Sequence, residues 1–249
     1  MKAKNSKSTS HQDRPRRAAC KPTPVFARLI WLLAALVALP AELTAQDPFT
    51  KITEGPVATD LGCTWGAAWG DYDGDGYPDL FIAHYKFGLN TLYHNNRDGT
   101  FTRITTPPSA QSAGLWEGAT WVDLDNDGRL DLLLVGENRP ILVYWNNGDG
   151  TFTTNQFDTM SPLWDLAVVD YDRDGLLDLY FSSATSAFNR LYRGKGNRTF
   201  QRMTAAEVGP IVSISTFGGI TWVDFDDDGS LELYAANHSN GRSYMYRIW

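Results

Sequence analysis

Four short segments of the sequence carry acidic side chains at one shared spacing. Positions 1, 3, 5 and 9 of each segment are acidic, and position 6 is glycine. Carboxylates at alternate positions, with a glycine that bends the chain sharply, can bring their oxygens together around a hard cation such as Ca²⁺, which takes roughly six to eight oxygen ligands. The acidic positions are Asp71, Asp73, Asp75, Asp79, Asp123, Asp125, Asp127, Asp131, Asp170, Asp172, Asp174, Asp178, Asp224, Asp226, Asp228 and Glu232.

The backbone carbonyl at position 7 of each segment is a further candidate ligand, by analogy with other Asp-rich calcium loops. The residues at this position are Tyr77, Arg129, Leu176 and Ser230. An EF-hand would need Glu at position 12, where this sequence has Ile82, Leu134, Phe181 and Tyr234 inside apolar segments. We therefore expect about four calcium sites in loops between strands. The alternative is that the segments are solvated acidic turns.

The expected role of these ions is structural. Catalytic metals keep open positions and have a base nearby, whereas a loop that satisfies an ion with its own oxygens mainly holds strands together. Of the 27 acidic residues that follow residue 45, 17 lie in the four loops, and only Arg129 and Arg173 lie among them. Without a cation, the carboxylates within each loop would therefore repel one another.

The acidic loops belong to a repeat that runs along the chain, with spacings of 52, 47 and 54 residues between successive loops. Apolar segments with the length of buried strands precede and follow each loop. A third segment ends in Tyr93, Tyr144 or Tyr192, and a Gly/Asn turn then leads to a fourth that opens with Phe101, Phe152 or Phe200. Four-strand repeats of about this length are typical of β-propeller blades. We predict an all-β propeller with repeats around 65–105, 116–156, 164–204 and 217–249.

Three tryptophans and a valine, namely Trp69, Trp121, Trp222 and Val169, are assigned to one repeat position and are expected to lie in the core. The sequence at 49–53 resembles that at 101–105, whereas the last repeat has no fourth strand of its own. The strand at 49–53 could therefore complete the last blade and close a ring of four blades. The competing interpretation is that the chain is a piece of a larger propeller with open edges.

The repeats resemble the FG-GAP/VCBS family, whose units build integrin α-subunit propellers and many bacterial surface proteins. The resemblance covers about residues 49 to 249 and rests on the segment from Gly70 to Leu80 and on the Asn-Gly-Asp-Gly-Thr-Phe turn that ends at Phe152. It implies a Ca²⁺-stabilised propeller used in adhesion or ligand binding. The match departs from the family because no Gly-Ala-Pro follows any loop and because four repeats replace the seven of integrins.

Residues 1–45 are predicted to be a signal peptide, and residues 46–249 the propeller domain. A basic stretch precedes the apolar run Leu29–Leu39, which is shorter than the roughly 20 residues of a membrane-spanning helix, and cleavage is expected near Ala45. An uncleaved membrane anchor is the alternative. The remaining 14 basic and 27 acidic residues give a net charge of −13, which argues against nucleic acid as a partner. We expect a secreted or cell-surface protein in which Cys63 is buried and unpaired.

Four aromatic residues that recur just before the first strand of each repeat are candidates for a ligand-binding surface: Trp65, Trp116, Trp164 and Phe217. The alternative is that they pack between neighbouring blades. His84, His94 and His238 share no spacing, so we expect no histidine-based zinc or catalytic cluster and no enzyme activity. The expected function is binding of a protein or carbohydrate at the cell surface. The alternatives are an extracellular polysaccharide-active enzyme and a structural part of a larger assembly.

Overall fold

Each acidic loop connects two antiparallel strands, as the flanking apolar segments predict. The computed structural model of the chain describes residues 49–86, 88–106, 108, 115–137, 139–160, 163–183, 188–214, 218–237 and 241–247. Within these residues the chain forms four antiparallel sheets in which strand order follows chain order. The prediction of an all-β fold built from repeated antiparallel sheets is confirmed.

The strands divide evenly among the first three sheets. Sheet 1 contains β1 (Cys63–Gly70), β2 (Asp79–Lys86), β3 (Thr91–Asn95) and β4 (Phe101–Ile104). Sheet 2 contains β5 (Trp116–Val122), β6 (Asp131–Gly136), β7 (Arg139–Asn146) and β8 (Phe152–Met160). Sheet 3 contains β9 (Leu163–Val169), β10 (Asp178–Ser183), β11 (Arg190–Gly194) and β12 (Phe200–Arg202). Sheet 4 contains β13 (Ile220–Val223), β14 (Glu232–Ala235) and β15 (Tyr244–Arg247).

Among the described residues there are three short helices: Pro56–Thr59 precedes β1, and Ala205–Val208 and the 3₁₀ helix Gly209–Val212 lie between β12 and β13. In the described part of the chain, none of the helices has the length and apolar character needed to cross a bilayer. The predicted signal peptide at 1–45 lies outside the described residues.

The sheets bury their faces against one another because successive side chains of a strand point to opposite sides. In sheet 2, Leu132 and Leu134 pack toward sheet 1, whereas Leu133 and Val135 pack toward sheet 3. The core between sheets 3 and 4 consists of Tyr180, Leu191, Ile211 and Leu233. Leu80 and Tyr93, on the face of sheet 1 away from sheet 2, are also buried, whereas Tyr234, on the face of sheet 4 away from sheet 3, is 44% exposed.

Strand pairing corrects the assignment of one repeat position. Trp69 pairs with Leu80, the first residue after the acidic loop, and in sheet 3 the residue that pairs with the equivalent Leu179 is Val168. Val169 instead pairs with Asp178, the last acidic residue of its loop. Val168, and not Val169, therefore corresponds to the three tryptophans, each of which, like Val168, stands two residues before the first aspartate of its loop.

Trp69 and Cys63 differ from the prediction of burial. The Trp69 side chain is 58% exposed, whereas Trp121 and Trp222 are partly buried against the preceding sheets. Cys63, at the start of β1, is also exposed. Both lie in the first strand of the first sheet, where no preceding sheet of the described chain covers them.

The strand expected at 49–53 is not formed. Phe49 and Ile52 are 89% and 75% exposed, and sheet 4 has three strands among the described residues. Closure of a four-blade ring by this segment is therefore not confirmed.

Candidate metal centres

The four acidic loops, numbered 1 to 4 in chain order, each turn sharply at the position 6 glycine. The φ angles of Gly76, Gly128, Gly175 and Gly229 are 87°, 86°, 84° and 83°. This left-handed region is open to glycine because glycine has no Cβ. The turn brings the carboxylates on either side of the glycine toward one another, as the sequence predicts.

The carboxylate at position 1 organises the loop. Asp71 accepts hydrogen bonds from the backbone N–H groups of Asp75 at 3.0 Å and Gly76 at 2.8 Å. The same two bonds recur at Asp123, Asp170 and Asp224, with lengths between 2.7 and 3.1 Å. The repeated sequence therefore folds into the same loop conformation in all four sheets.

The carboxylate at position 9 joins the loop to the third strand of its sheet. The Asn95 N–H donates to Asp79 Oδ1, the Asn146 N–H to Asp131 Oδ1 and the Gly194 N–H to Asp178 Oδ1, each at 2.8 Å. Position 9 is fully buried in these three loops, and the equivalent Glu232 is 1% exposed.

Burial of position 9 affects its ionisation. It raises the pKa of Asp131 and of Asp178 to about 6, against the lowering effect of their backbone hydrogen bonds, and it also raises the pKa of Asp79. A buried carboxylate of this kind is stabilised in its charged form when a cation lies beside it.

Carboxylate oxygens converge in every loop to within 4.8 Å of one another. The convergent sets are Asp71, Asp73 and Asp79; Asp123, Asp125 and Asp127; Asp170, Asp172 and Asp178; and Asp224, Asp226 and Glu232. All the donors are hard oxygens, which suit Ca²⁺ better than softer metals. Asp125 Oδ1 is buried without a hydrogen-bond partner, as expected of an oxygen that faces a cation.

The position 5 carboxylates and the backbone groups of position 7 are both predicted ligands, and in the structure they are hydrogen-bonded to each other. At position 5, Asp75, Asp127, Asp174 and Asp228 each accept the backbone N–H of position 7 at 2.7 to 3.0 Å. The structure thus shows the amide groups of Tyr77, Arg129, Leu176 and Ser230 bonded within the loop. The part predicted for their carbonyl oxygens stays a prediction.

Basic side chains reach into the loops, and sequence reasoning missed them. Arg193 Nε lies 2.7 Å from Asp172 Oδ2, and Arg247 contacts Asp226 and lies 3.3 Å from Glu232 Oε1. In loop 1, His94 Nδ1 is 3.2 Å from both Asp73 and Asp79, and Arg97 pairs with Asp75 at 2.7 Å. Asp73, Asp75 and His94 also offer ligand atoms within 4.8 Å of one another, and the expectation that no zinc or catalytic cluster contains a histidine stays a prediction.

A sequence signal for these basic side chains exists. His94, Arg193 and Arg247 each follow the tyrosine that marks the third strand. In sheet 2 this position is Trp145, which is buried and carries no charge. Arg198 of the next repeat supplies the basic group instead, by donating to Asp125 Oδ2 at 2.7 Å. Each loop therefore contains a basic side chain beside its position 3 carboxylate.

The four candidate ligand-binding aromatics do not form one surface among the described residues. Trp65 is 62% exposed and packs on Tyr85, with ring centroids 4.3 Å apart. Trp116 is 2% exposed and lies in the core between sheets 1 and 2, so it contributes packing. Trp164 lies on β9 but its side chain is outside the described part, and Phe217 lies outside the described residues altogether.

Trp65 borders a cavity of about 580 Å³ lined by the first strands of sheets 1 to 3. Two carboxylates, those of Glu117 and Asp165, also line it. Burial, and then the charge of Glu137, raise the pKa of Glu117, whose Oε2 is buried without a hydrogen-bond partner. The cavity thus combines an exposed indole with acceptors for a hydrogen-bonding ligand.

Comparison with known proteins supports the repeat assignment. A family model described as an FG-GAP-like repeat matches residues 71–134 and 123–181. Cartilage acidic protein 1 of Mus musculus is 28% identical over 174 residues, a match that covers 62% of this chain and 26% of that protein. The Xenopus tropicalis protein of the same name is 29% identical over 175 residues. The chain spans about a quarter of the length of these curated relatives.

A solved structure is also similar to the chain. It is that of an Agrocybe aegerita lectin that recognises non-reducing terminal N-acetylglucosamine, and it superposes with a TM-score of 0.49 at 16% identity. The superposition covers 77% of this chain and 55% of the lectin.

Proposed function

The chain carries FG-GAP-like repeats across residues 71–181, and from this premise we propose that it is an exported, calcium-binding β-propeller module that binds a protein or a carbohydrate. The observation that supports the proposal most strongly is the recurrence of the acidic loop. In each of the four sheets, carboxylate oxygens from at least three residues converge within 4.8 Å.

Calcium would act as a structural cross-link in this proposal. Loop 1 joins β1 to β2, and its Asp79 accepts a hydrogen bond from Asn95 of β3. A cation held by Asp71, Asp73 and Asp79 would therefore tie the loop to three strands of its sheet. It would also neutralise carboxylates that otherwise repel one another. About four Ca²⁺ ions per chain are proposed, one for each loop.

Calorimetric titration and thermal unfolding test the calcium part of the proposal. We expect about four bound ions and a melting temperature at least about 10 °C higher in millimolar Ca²⁺ than in EDTA, since each occupied site adds stability by mass action. Replacing an acidic loop residue, as in Asp170→Asn, should remove about one ion. The matched control is Asp149→Asn, which changes an exposed acidic turn outside the loops. Equal melting temperatures in Ca²⁺ and EDTA would contradict the proposal.

The ligand site is proposed at the cavity beside Trp65. An exposed indole next to carboxylate acceptors suits a sugar ring, which stacks on aromatic faces and donates hydroxyl hydrogen bonds, and it also suits a polar peptide segment. The proposed role is binding and not catalysis. This proposal rests on the residues that line the cavity, because a relative's ligand does not transfer with the fold.

A glycan array and a panel of extracellular proteins test the ligand part. We expect that Trp65→Ala lowers affinity for the retained ligand at least about 10-fold, and that Phe188→Ala, which truncates a similarly exposed aromatic (58%) between β10 and β11, leaves it unchanged. A ligand that binds both variants equally would place the binding site elsewhere.

Export is proposed because a basic stretch and a short apolar run precede residue 46. The name of the similar cartilage protein is consistent with a location outside the cell. N-terminal sequencing of the secreted chain should find a start near residue 46, and retention of the uncleaved chain in the membrane fraction would contradict the proposal.

A further inference from the structure

Loop 1 differs from the other acidic loops in the residue that follows the tyrosine of the third strand. In sheets 3 and 4 this residue is Arg193 or Arg247, whose guanidinium group offers only donors and so cannot bind a metal. In sheet 2 it is Trp145, whose indole nitrogen is also only a donor. In sheet 1 it is His94, and a neutral imidazole has one nitrogen with a free electron pair. At this position, loop 1 alone therefore has a side chain that can bind a metal through nitrogen.

The imidazole of His94 lies beside two carboxylates of loop 1. His94 Nδ1 is 3.2 Å from Asp73 Oδ2 and 3.2 Å from Asp79 Oδ1. This nitrogen is buried, and it makes no hydrogen bond to either oxygen. Two ligand atoms of a tetrahedral ion with bonds of about 2.0–2.1 Å lie about 3.3 Å apart. The separations between the three side chains therefore suit a small metal ion bound to all of them.

Asp79 and His94 are held in place by their neighbours in sheet 1. Asp79 is fully buried and accepts hydrogen bonds from the N–H groups of Asn95 at 2.8 Å and Tyr72 at 3.3 Å. The Tyr72 ring meets the His94 ring edge-on, with centroids 6.4 Å apart and planes at 80°. Ligands that are positioned before the metal arrives lose less conformational freedom on binding, so this arrangement favours a specific site.

The alternative is that His94 is protonated and compensates the charge of loop 1, as the arginines do in loops 3 and 4. Loop 1 already has such a positive charge, because Arg97 pairs with Asp75 at 2.7 Å. This second pair favours the role of a ligand for His94.

We infer that loop 1 is a mixed site of nitrogen and oxygen ligands, which binds a first-row transition metal such as Zn²⁺ through His94 Nδ1 and the carboxylates of Asp73 and Asp79. Imidazole suits these metals, whereas Ca²⁺ takes oxygen ligands. Zn²⁺ therefore displaces Ca²⁺ from loop 1, and loops 2 to 4 keep their Ca²⁺. The inference rests on the proposed function in one respect, which is that the acidic loops hold cations. It is opposed to the expectation drawn from the spacing of the histidines, which does not show that β3 places His94 beside loop 1.

Titration of the calcium-loaded full chain with ZnCl₂ tests the inference. We expect about one Zn²⁺ to bind and about one Ca²⁺ to leave, as counted by calorimetry and elemental analysis. His94→Arg gives loop 1 the residue of loops 3 and 4, so it should keep about four Ca²⁺ sites. The same variant should lower Zn²⁺ affinity at least about 10-fold, since even the loss of a residue that only orients a ligand costs about 10–100-fold.

Two further variants separate the loss of a ligand from other effects. His94→Gln adds no positive charge and should also lower Zn²⁺ affinity at least about 10-fold. His84→Gln removes another histidine of sheet 1 and should leave the affinity unchanged, because no set of converging ligand atoms among the described residues includes His84. Circular dichroism of each variant checks that the sheets still form.

Nitrogen NMR of the chain labelled with ¹⁵N-histidine identifies the atom that binds. We expect Zn²⁺ to shift the Nδ1 resonance of His94 and to leave the proton of the ring on Nε2. A His94 that keeps its Nδ1 proton in saturating Zn²⁺ would overturn the inference, and so would a His94→Gln variant that binds Zn²⁺ as tightly as the wild type. If four Ca²⁺ ions bind and Zn²⁺ does not, this inference fails alone. If Zn²⁺ binds through His94 to a chain that binds no Ca²⁺, the calcium proposal fails and the site at loop 1 stands.

Discussion

The guanidinium group of Arg198 donates a hydrogen bond to Asp125 Oδ2 at 2.7 Å, although 73 residues separate the two. Arg198 also lies 5.3 Å above the Trp145 ring. The arginine belongs to the turn between β11 and β12, and the aspartate to the acidic loop of sheet 2. A charge from one repeat thus compensates the loop of the preceding repeat, and any cation that binds this loop shares its carboxylates with Arg198.

Arg198→Gln should therefore destabilise the chain more in EDTA than in Ca²⁺. Without calcium, the substitution leaves the Asp125 carboxylate without a positively charged partner, and the loss of the guanidinium group costs about 1 kcal/mol for a partly exposed pair. With calcium bound, the ion compensates the same charge and the cost falls. Urea unfolding in both buffers measures the difference, and Arg202→Gln, at a more exposed pair outside the loops, is the control. Equal losses in the two buffers would show that Arg198 and the ion do not share the site.

Asp178→Asn should destabilise the chain more with calcium than without it. In EDTA the loss of the Asp178 charge itself costs little, because burial raises the pKa of this carboxyl to about 6, but an amide accepts only one of the two backbone N–H bonds from Gly194 and Tyr171, so the variant loses about 1–3 kcal/mol. In Ca²⁺ the variant loses a ligand of loop 3, and with it about 2.7 kcal/mol at a free calcium concentration near 100 times the dissociation constant. Calorimetry should count about one ion fewer. A variant that binds as many ions as the wild type would exclude Asp178 as a ligand.

The sequence predicted the local structure well because local chemistry determines it. The Asp and Gly positions of each loop determine its turn, and the apolar segments on either side form the expected strands. Contacts between repeats could not be predicted in this way. Arg198 reaches its loop across another repeat, and whether Trp69 is buried depends on which sheet lies against it. The position of Val168, by contrast, was predictable, because it stands two residues before Asp170 as Trp121 does before Asp123.

Gly70→Ala should loosen the contact between sheets 1 and 2. A Cβ at Gly70 would lie 2.6 Å from Cγ of Trp121, closer than van der Waals contact allows, so the indole would have to move. Overpacking of this kind costs about 1–3 kcal/mol. At Gly219, by contrast, the nearest atom to a new Cβ is Asp165 Oδ2 at 3.6 Å, and Gly219→Ala should cost less than about 0.5 kcal/mol. Denaturant unfolding of the two variants in Ca²⁺ compares them, and equal stability would contradict the packing seen at Trp121.

Tyr192 should make the chain sensitive to alkaline pH. Burial, and then its hydrogen bond to Asp158, raise the pKa of Tyr192 above its ordinary value of about 10. Between pH 10 and the raised value, the folded chain keeps a proton that the unfolded chain has released. The stability from this group is therefore complete below pH 10 and falls above it by up to about 1.4 kcal/mol per pH unit.

Tyr192→Phe removes this ionisable group and keeps the ring that packs on Phe157 and Phe181. The variant should be less stable than the wild type at pH 8, by about 1 kcal/mol for the lost hydrogen bond to Asp158, a residue that still pairs with Arg190 at 2.7 Å. Above pH 10 its free energy of unfolding should fall less steeply, so the gap between the two proteins narrows. Urea titrations at pH 8, 10 and 11 measure both slopes. Parallel slopes would mean that Tyr192 ionises equally in the folded and unfolded chains, and the burial of its hydroxyl would then not control its proton.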